Sequence, residues 1–245
     1  MTPAPLVLAA GGGPVIPNFG GASKCITQNG QFCASWFFDN FGSRFLPRLV
    51  EHLQLTAIAV GVGAAIAFTA AIIAYKQDWF ETPFSLFSAF LYTIPSLAFF
   101  ELMVPITGIN RLSAEIALVS YTLLILFRNT LTGLRGVPEA TIEAARAMGL
   151  TPRQRLLRIE LPLALPAIMA GLRIATVTTI SLTTVAAYIG AGGLGQPIFD
   201  AIQTGFKTEF IAAGGLAIAL AIVVDVALVL VQRLITPWSR RQVRV

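Results

Sequence analysis

The chain has 245 residues, of which 56% are hydrophobic and 12% are charged, and its mean hydropathy is +0.76. Because about a quarter of the residues of a soluble domain are charged, this composition excludes a soluble globular fold and predicts an all-α membrane protein. The net charge of +5 requires no nucleic-acid partner, since Lys and Arg accumulate on the cytoplasmic side of membrane proteins.

Residues 1–53 are predicted to form an extracytoplasmic tail. It contains the only two cysteines, Cys25 and Cys33, which flank the tight-turn signal Asn29-Gly30. A hairpin there would bring the sulfurs together, so a disulfide is expected in an oxidising compartment and free thiols otherwise. No metal site is expected, because His52 is the only histidine and no third cysteine exists. We interpret His52 as a surface or interfacial residue.

The rest of the chain alternates between apolar and polar segments. Residues 36–53 mix aromatic and charged side chains, which is typical of an amphipathic helix lying in the membrane interface. A transmembrane domain is predicted over residues 54–235, with a cytoplasmic tail at 236–245. Since a spanning helix needs about 20 apolar residues, we predict about five spans. They cover residues 55–75, 84–106, 114–127 (extending through Thr130 if it is to cross fully), 163–189 and 210–234.

The second predicted span contains two prolines, Pro95 and Pro105, which should kink the helix and free backbone carbonyls for a pore lining. Tyr92, Phe99 and Phe100 lie nearby. Aromatic faces attract a quaternary ammonium group through cation–π interactions. These three side chains are therefore candidate pore-lining residues together with Pro95, and packing or lipid contact is the alternative for each of them.

Three ionisable residues fall inside predicted spans, namely Glu101, Arg173 and Asp225. Such residues are costly in a bilayer and mark functional or paired positions. Arg173 could either snorkel to the cytoplasmic interface or pair with Asp225 between two helices. We favour a structural role for these residues over a role in translocation.

Residues 138–162, which we call the wedge, form the longest polar segment between apolar spans. Pro138 and Glu139 are typical of a helix start, and Gly149 suits the left-handed residue that ends a helix. Thr151 and Pro152 then predict a second helix, which is expected to close at Leu161-Pro162. The wedge is therefore predicted to be two short helices joined by a turn.

Within the wedge, the chain resembles the EAA loop of ABC importer permeases. The motif residues are Glu143, Ala144, Ala145, Gly149, Ile159, Leu161 and Pro162. The resemblance implies that the wedge docks into a cleft of a cytoplasmic ATPase subunit and couples its closure to the pore. The alternative is an amphipathic loop that rests on the bilayer surface.

A second motif follows the fourth predicted span. Residues 190–196, which we call the outer loop, read GAGGLGQ and include Gly190, Gly192, Gly193, Gly195 and Gln196. They satisfy G-x-G-x-x-G, but a dinucleotide site is not expected because the motif follows a membrane span instead of a strand.

Residues 187–202 (AYIGAGGLGQPIFDAI), which contain the outer loop, resemble the extracytoplasmic loop after the fourth span of permeases for betaine-type osmoprotectants, with Gln196 where that family often has an acidic residue. Residues 92–98 (YTIPSLA) and 51–53 (EHL) extend the resemblance. It implies an outer gate and a docking lip for a solute-binding protein, and a plain connector is the alternative.

Orientation follows from the basic residues. With the wedge inside, eleven of them are cytoplasmic and five lie outside, which predicts the N-terminus outside and the C-terminus in the cytoplasm. The inner group is Lys76, Arg128, Arg135, Arg146, Arg153, Arg155, Arg158, Arg233, Arg240, Arg241 and Arg244, and the outer group is Lys24, Arg44, Arg48, Arg111 and Lys207.

Together these resemblances imply a type I ABC importer permease in the bacterial inner membrane, for glycine betaine, choline, carnitine or proline betaine. The expected partners are a cytoplasmic ATPase dimer that binds ATP and Mg, a second permease subunit, identical or related, and an extracytoplasmic solute-binding protein. No cofactor is expected in this chain, which has no G-x-x-x-x-G-K-[ST] motif. The alternatives are a permease for methionine or another small amino acid, an ion-coupled secondary transporter and, least favoured, an intramembrane enzyme.

Overall fold

The computed structural model describes residues 24–238, and within this range the regular structure is entirely helical. Four stretches are long and apolar enough to cross a membrane, and a bent helix pair makes up to five. The main helices are α3 (Leu46–Lys76), α4 (Asp78–Thr93), α5 (Ser96–Thr107), α6 (Arg111–Arg135), α9 (Leu161–Ala186) and α11 (Lys207–Ile235). The prediction of an all-α membrane protein with about five spans is therefore confirmed. Predictions for residues 1–23 and 239–245 lie outside the described residues.

The N-terminal segment is built differently from the prediction. Two short helices, α1 (Lys24–Gln28) and α2 (Ala34–Asn40), are followed by a π-helical turn, Phe41–Phe45, which runs directly into α3. The expectation of a separate interfacial helix at residues 36–53 is therefore wrong, because this segment continues the first span as one helical stretch of 43 residues. Its aromatic side chains pack against the outer part of α11 instead of lying on a membrane surface.

The second span is broken between α4 and α5, whose axes differ by 99°. Ile94 and Pro95 are extended at the break, with ψ values of 128° and 131°. Proline cannot donate its backbone nitrogen, and the residue before it avoids the helical region, so the break falls where the sequence predicts a kink. The hydroxyl of Tyr121 donates to the carbonyl of Ile94 at 2.5 Å, which satisfies one acceptor that the break releases.

Two connections are more helical than expected. After α7 (Glu139–Ala147), the helix α8 (Pro152–Arg155) passes through a π-helical turn at Leu156–Glu160 into α9. The expected close of the wedge at Leu161-Pro162 is therefore wrong, since Pro162 lies in the first turn of α9, where proline is tolerated. Beyond a 3₁₀ turn at Ala187–Ile189, the segment between the fourth and fifth predicted spans contains the helix α10 (Gly195–Thr204).

Helices α3, α6 and α9 form the centre of the bundle and approach closely through small residues. A Cβ atom on Gly63 of α3 would overlap the hydroxyl of Thr122 on α6, and one on Gly171 of α9 would overlap the side chain of Asn129. Membrane helices associate through such small residues, because lipid provides no hydrophobic drive between them. Helix α11 packs on α9 and leaves much of its own surface exposed.

Candidate functional site

The turn of the wedge is formed as its sequence predicts. Gly149 has a φ of +79°, and its N–H donates to the carbonyl of Arg146 at 2.9 Å. The N–H of Leu150 donates to the carbonyl of Ala145 at 3.2 Å. This pair of bonds is the Schellman motif, which ends a helix through a left-handed glycine.

The second wedge helix begins with a complete capping box. The side chain of Thr151 accepts from the N–H of Gln154 at 3.3 Å, and the Gln154 side chain accepts from the N–H of Thr151 at 2.9 Å. Such reciprocal bonds satisfy two N–H groups that have no partner inside the helix. Further along, Arg155 donates to Glu160 at 2.5 Å, and this carboxylate is almost fully buried. The Arg155–Glu160 bridge spans the π-helical turn within the wedge and is not predicted from the sequence.

The wedge has one anchored side and one exposed side. Ile142 and Ala145 of α7 are buried, as the helical spacing predicts. The EAA residues Glu143 and Ala144 are exposed, and Gly149 has open space around it, while Ile159, Leu161 and Pro162 are half-buried. Two large apolar side chains also face outward, with exposed fractions of 69% for Met148 and 64% for Leu157. Met148 is the residue that follows α7, and it lies at the exposed tip of the wedge.

At the opposite end of the bundle, the beginning of α3 holds the outer loop. Glu51 accepts from the N–H of Gly193 at 2.9 Å and pairs with Arg48 at 2.9 Å and with Arg111 of α6. One carboxylate therefore joins α3, α6 and the outer loop.

His52 completes this attachment from inside the protein. Its Nδ1 accepts from the N–H of Leu194 at 3.2 Å, so its Nε2 carries the hydrogen that is donated to the carbonyl of Ile180 at 3.0 Å. The interpretation of His52 as a surface residue is therefore wrong, since it is fully buried. Both ring nitrogens are occupied by backbone groups, and this arrangement suits a positioning role.

Glycine is required at several outer-loop positions by the close approach of α3 and α9. Gly192 has a φ of +90°, and a Cβ atom there would overlap the carboxylate of Glu51. A Cβ atom on Gly195 would overlap the carbonyl oxygen of Thr184. Gly190 and Gly193 also have positive φ values, and Gln196 lies in the first turn of α10. The outer loop is therefore a packed element with defined contacts on both helices.

Residues 24–45, which we call the N-terminal cap, lie against the turn between α10 and α11. The structure joins Cys25 to Cys33 as a disulfide, with Cα atoms 5.8 Å apart, and a helix with a left-handed Asn29 takes the place of the expected hairpin. The Asn29 side chain donates to the carbonyl of Gly205 at 2.9 Å and accepts from the N–H of Lys207 at 3.1 Å. The N-terminal cap therefore holds both sides of this turn.

The candidate pore-lining residues occupy two kinds of environment. Tyr92 and Pro95 are exposed at the break between α4 and α5. Phe99 and Phe100 are buried in the core, where Phe99 contacts Tyr121 with ring centroids 5.7 Å apart. The pore-lining role of these four residues stays a prediction.

The ionisable residues of the spans also separate into two groups. Glu101 is exposed. Arg173 of α9 and Asp225 of α11 form a two-pronged ion pair, with Nε–Oδ1 and Nη2–Oδ2 distances of 2.8 and 2.9 Å. The predicted pairing of these two helices is confirmed. Among residues 24–238, no group of three or more His, Cys, Asp or Glu side chains could hold a metal ion.

Comparisons with known proteins agree with this arrangement. Residues 57–241 match the family described as binding-protein-dependent transport system inner membrane component. The chain is 33% identical over 209 residues to the choline transport system permease protein OpuBB of Bacillus subtilis, covering 85% of this chain and 96% of that protein. It is 40% identical over 213 residues to the osmoprotectant import permease protein OsmW of Salmonella typhimurium, covering 84% and 98%.

A solved structure has the same fold. The inward-facing MetNI methionine ABC transporter matches with a TM-score of 0.68 and 25% identity, covering 76% of this chain and 93% of that chain. The match agrees with the fold inferred from the EAA motif. The chain therefore belongs to the inner-membrane components of binding-protein-dependent transport systems, the permease subunits of ABC importers.

Proposed function

We propose that this permease moves compatible solutes with a quaternary ammonium group into the cell, with glycine betaine, choline, carnitine and proline betaine as the candidates. The observation that supports this solute class is the 33–40% identity, over nearly their whole lengths, to relatives named for choline and osmoprotectant transport. Methionine is the alternative solute, supported by the structural likeness to the MetNI transporter. That likeness is weaker in sequence and extends over less of this chain.

The proposed driving force is ATP hydrolysis in a separate pair of ATPase chains, which bind ATP and Mg. The exposed side of the wedge supports this assignment. Met148 and Leu157 present exposed apolar side chains, and Glu143 of α7 is an exposed polar group of the same wedge. Large exposed apolar side chains rimmed by polar residues are typical of protein docking sites. Leu156 of the wedge packs with Leu134 of α6 and Ala164 of α9, and this contact would pass movement of the wedge to the spans.

The outer loop is proposed as the outer gate and as a docking lip for a solute-binding protein. Its attachment to α3 through Glu51 and His52 supports this role, because movement of α3 would move the loop with it. The complete transporter would contain two permease chains, identical or related, in alternating access.

The coupling role is tested at Gly149, whose φ of +79° is strained for a branched residue by about 1–2 kcal/mol. In cells that express the whole system, Gly149→Val should insert normally but lose uptake of labelled glycine betaine or choline. Gly149→Asn is the matched control, because asparagine tolerates this conformation. Equal uptake by both variants would argue against the role of the wedge turn. If the unaltered system imports methionine and no other solute, the proposed solute class is wrong.

A further inference from the structure

The ion pair between α9 and α11 lies in the middle third of both helices. Arg173 is twelve residues after Leu161 and thirteen before Ala186, the ends of α9. At about 1.5 Å per residue, it is about 18 Å from either end, near the middle of a hydrocarbon layer about 30 Å thick. Asp225 is eighteen residues after Lys207 and ten before Ile235 in α11. Each of the other ion pairs described above lies near one or the other end of the bundle.

This ion pair is open to its surroundings. The exposed fractions of the Arg173 and Asp225 side chains are 33% and 32%. Both line a groove of about 430 Å³ on the α9–α11 face, together with Ala170, Ile174, Val177 and Thr178. A purely structural tie between two helices needs no such opening.

Lipid is an unsuitable neighbour for this groove. Ionisable residues within spans face a bundle interior or a water-filled cavity, because hydrocarbon cannot solvate them. The ion pair uses two of the five N–H donors of Arg173, on Nε and Nη2. The remaining donors and the second lone pairs of the Asp225 oxygens require polar partners from within the groove.

We propose that the groove around Arg173 and Asp225 is a mid-membrane binding site for a small zwitterion with one carboxylate and one quaternary ammonium. This inference rests on the proposed function and specifies where the solute is held during transport. The guanidinium binds the carboxylate of the solute, since Arg matches carboxylates with paired hydrogen bonds. Asp225 provides the opposite charge for the ammonium, and Ile174 and Val177 provide apolar contact for its methyl groups.

The test replaces both charges with apolar groups of similar length, in the double variant R173M/D225L of the complete transporter in vesicles. If the ion pair only ties two helices, this variant should transport normally, because apolar pairs often substitute for buried ion pairs without loss of stability. We expect normal insertion and ATP hydrolysis, with uptake of glycine betaine at saturating solute-binding protein lowered about tenfold or more. Uptake within about twofold of the unaltered chain would overturn the proposal.

A second variant covers the case in which R173M/D225L fails to insert. Arg173→Lys keeps the charge but loses the planar fork, so it should insert and still reduce the maximal rate of glycine betaine uptake several-fold. An unchanged rate in this variant would overturn the site. An unaltered chain that imports choline but no carboxylate-bearing solute would overturn the zwitterion assignment alone. Import of no quaternary ammonium solute at all would instead contradict the proposed function.

Discussion

Gly195 begins α10, where the chain packs directly against the backbone of α9 at Thr184. A Cβ atom there would overlap the carbonyl oxygen of Thr184 and approach the Cβ of Ala187 to 2.7 Å. Neither neighbour is the flexible end of a long side chain, so only a shift of the backbone could remove this overlap. We expect Gly195→Ala to lower the free energy of unfolding by about 1–3 kcal/mol, as overpacked sites do. Thermal melting of the purified protein in detergent measures this loss.

Gly215 of α11 provides the matched control. It is also glycine, but nothing lies within 4 Å of an added Cβ atom. Gly215→Ala should leave the melting temperature unchanged or raise it slightly, because alanine favours the helix more than glycine does. If the two variants melt alike, the contact between the outer loop and α9 does not contribute to stability.

Single residues differ in how far the sequence predicts their contacts. Gly149, Thr151 and Gln154 interact within a few positions of themselves, so local chemistry predicts the wedge turn and its capping threonine. Glu51 and His52 instead bond the N–H groups of residues 142 positions away. Their sequence neighbours contain no sign of this contact, so the sequence predicts a surface position for His52, which is wrong. The motif GAGGLG indicated a special backbone, but its partner in α3 was visible only in the structure.

The N-terminal cap acts as one element on the turn between α10 and α11. The side chain of Asn29 accepts from the N–H of Lys207, and the hydroxyl of Thr208 accepts from the N–H of Cys33 at 3.0 Å. The Cys25–Cys33 disulfide closes a loop with a sequence separation of eight. Its reduction should therefore lower the free energy of unfolding of the N-terminal cap by about 2–3 kcal/mol. We expect faster hydrogen exchange at Lys207 after reduction, and also in the variant Asn29→Ala under oxidising conditions.

Thr27→Ala is the control for this element, because the hydroxyl of Thr27 bonds only the carbonyl of Lys24 within the same helix. Its exchange at Lys207 should match that of the unaltered chain. Exchange at Lys207 that is insensitive to both reduction and Asn29→Ala would contradict the holding role of the N-terminal cap.

At the same scale, hydropathy predicts the existence of the spans better than their shape. The apolar runs gave five segments close to the observed helices, because the bilayer sets their length. Pro95 predicts a kink, but the 99° angle depends on how α5 packs against α6. The sequence does not predict the continuous helix from Pro152 to Ile189, because Pro162 suggests a stop although proline is compatible with a first helical turn.

The whole molecule has a charged layer at each end of its apolar centre. Near the wedge, Arg135 at the end of α6 pairs with Glu81 at 2.6 Å and with Asp78 at 3.4 Å, both at the start of α4. Near the outer loop, Glu51 pairs with Arg48 and Arg111. The Arg173–Asp225 pair lies between these layers, and both of its side chains line the α9–α11 groove. This depth distinguishes it from the surface pairs, which contribute little to stability.

The numbers of basic residues on the two sides of the membrane predict the orientation of the chain. The sequence assigns eleven basic residues to the wedge side of the membrane and five to the other side, which predicts the C-terminus in the cytoplasm and the N-terminus outside. A fluorescent protein that matures only in the cytoplasm should therefore fluoresce when it follows Val245. Alkaline phosphatase, which is active only outside the cytoplasm, should be active when inserted after Gln28 and inactive after Gly149. The reverse pattern would place Cys25 and Cys33 in a reducing compartment and the wedge on the wrong side of the membrane for an ATPase, which would contradict both the disulfide and the coupling role.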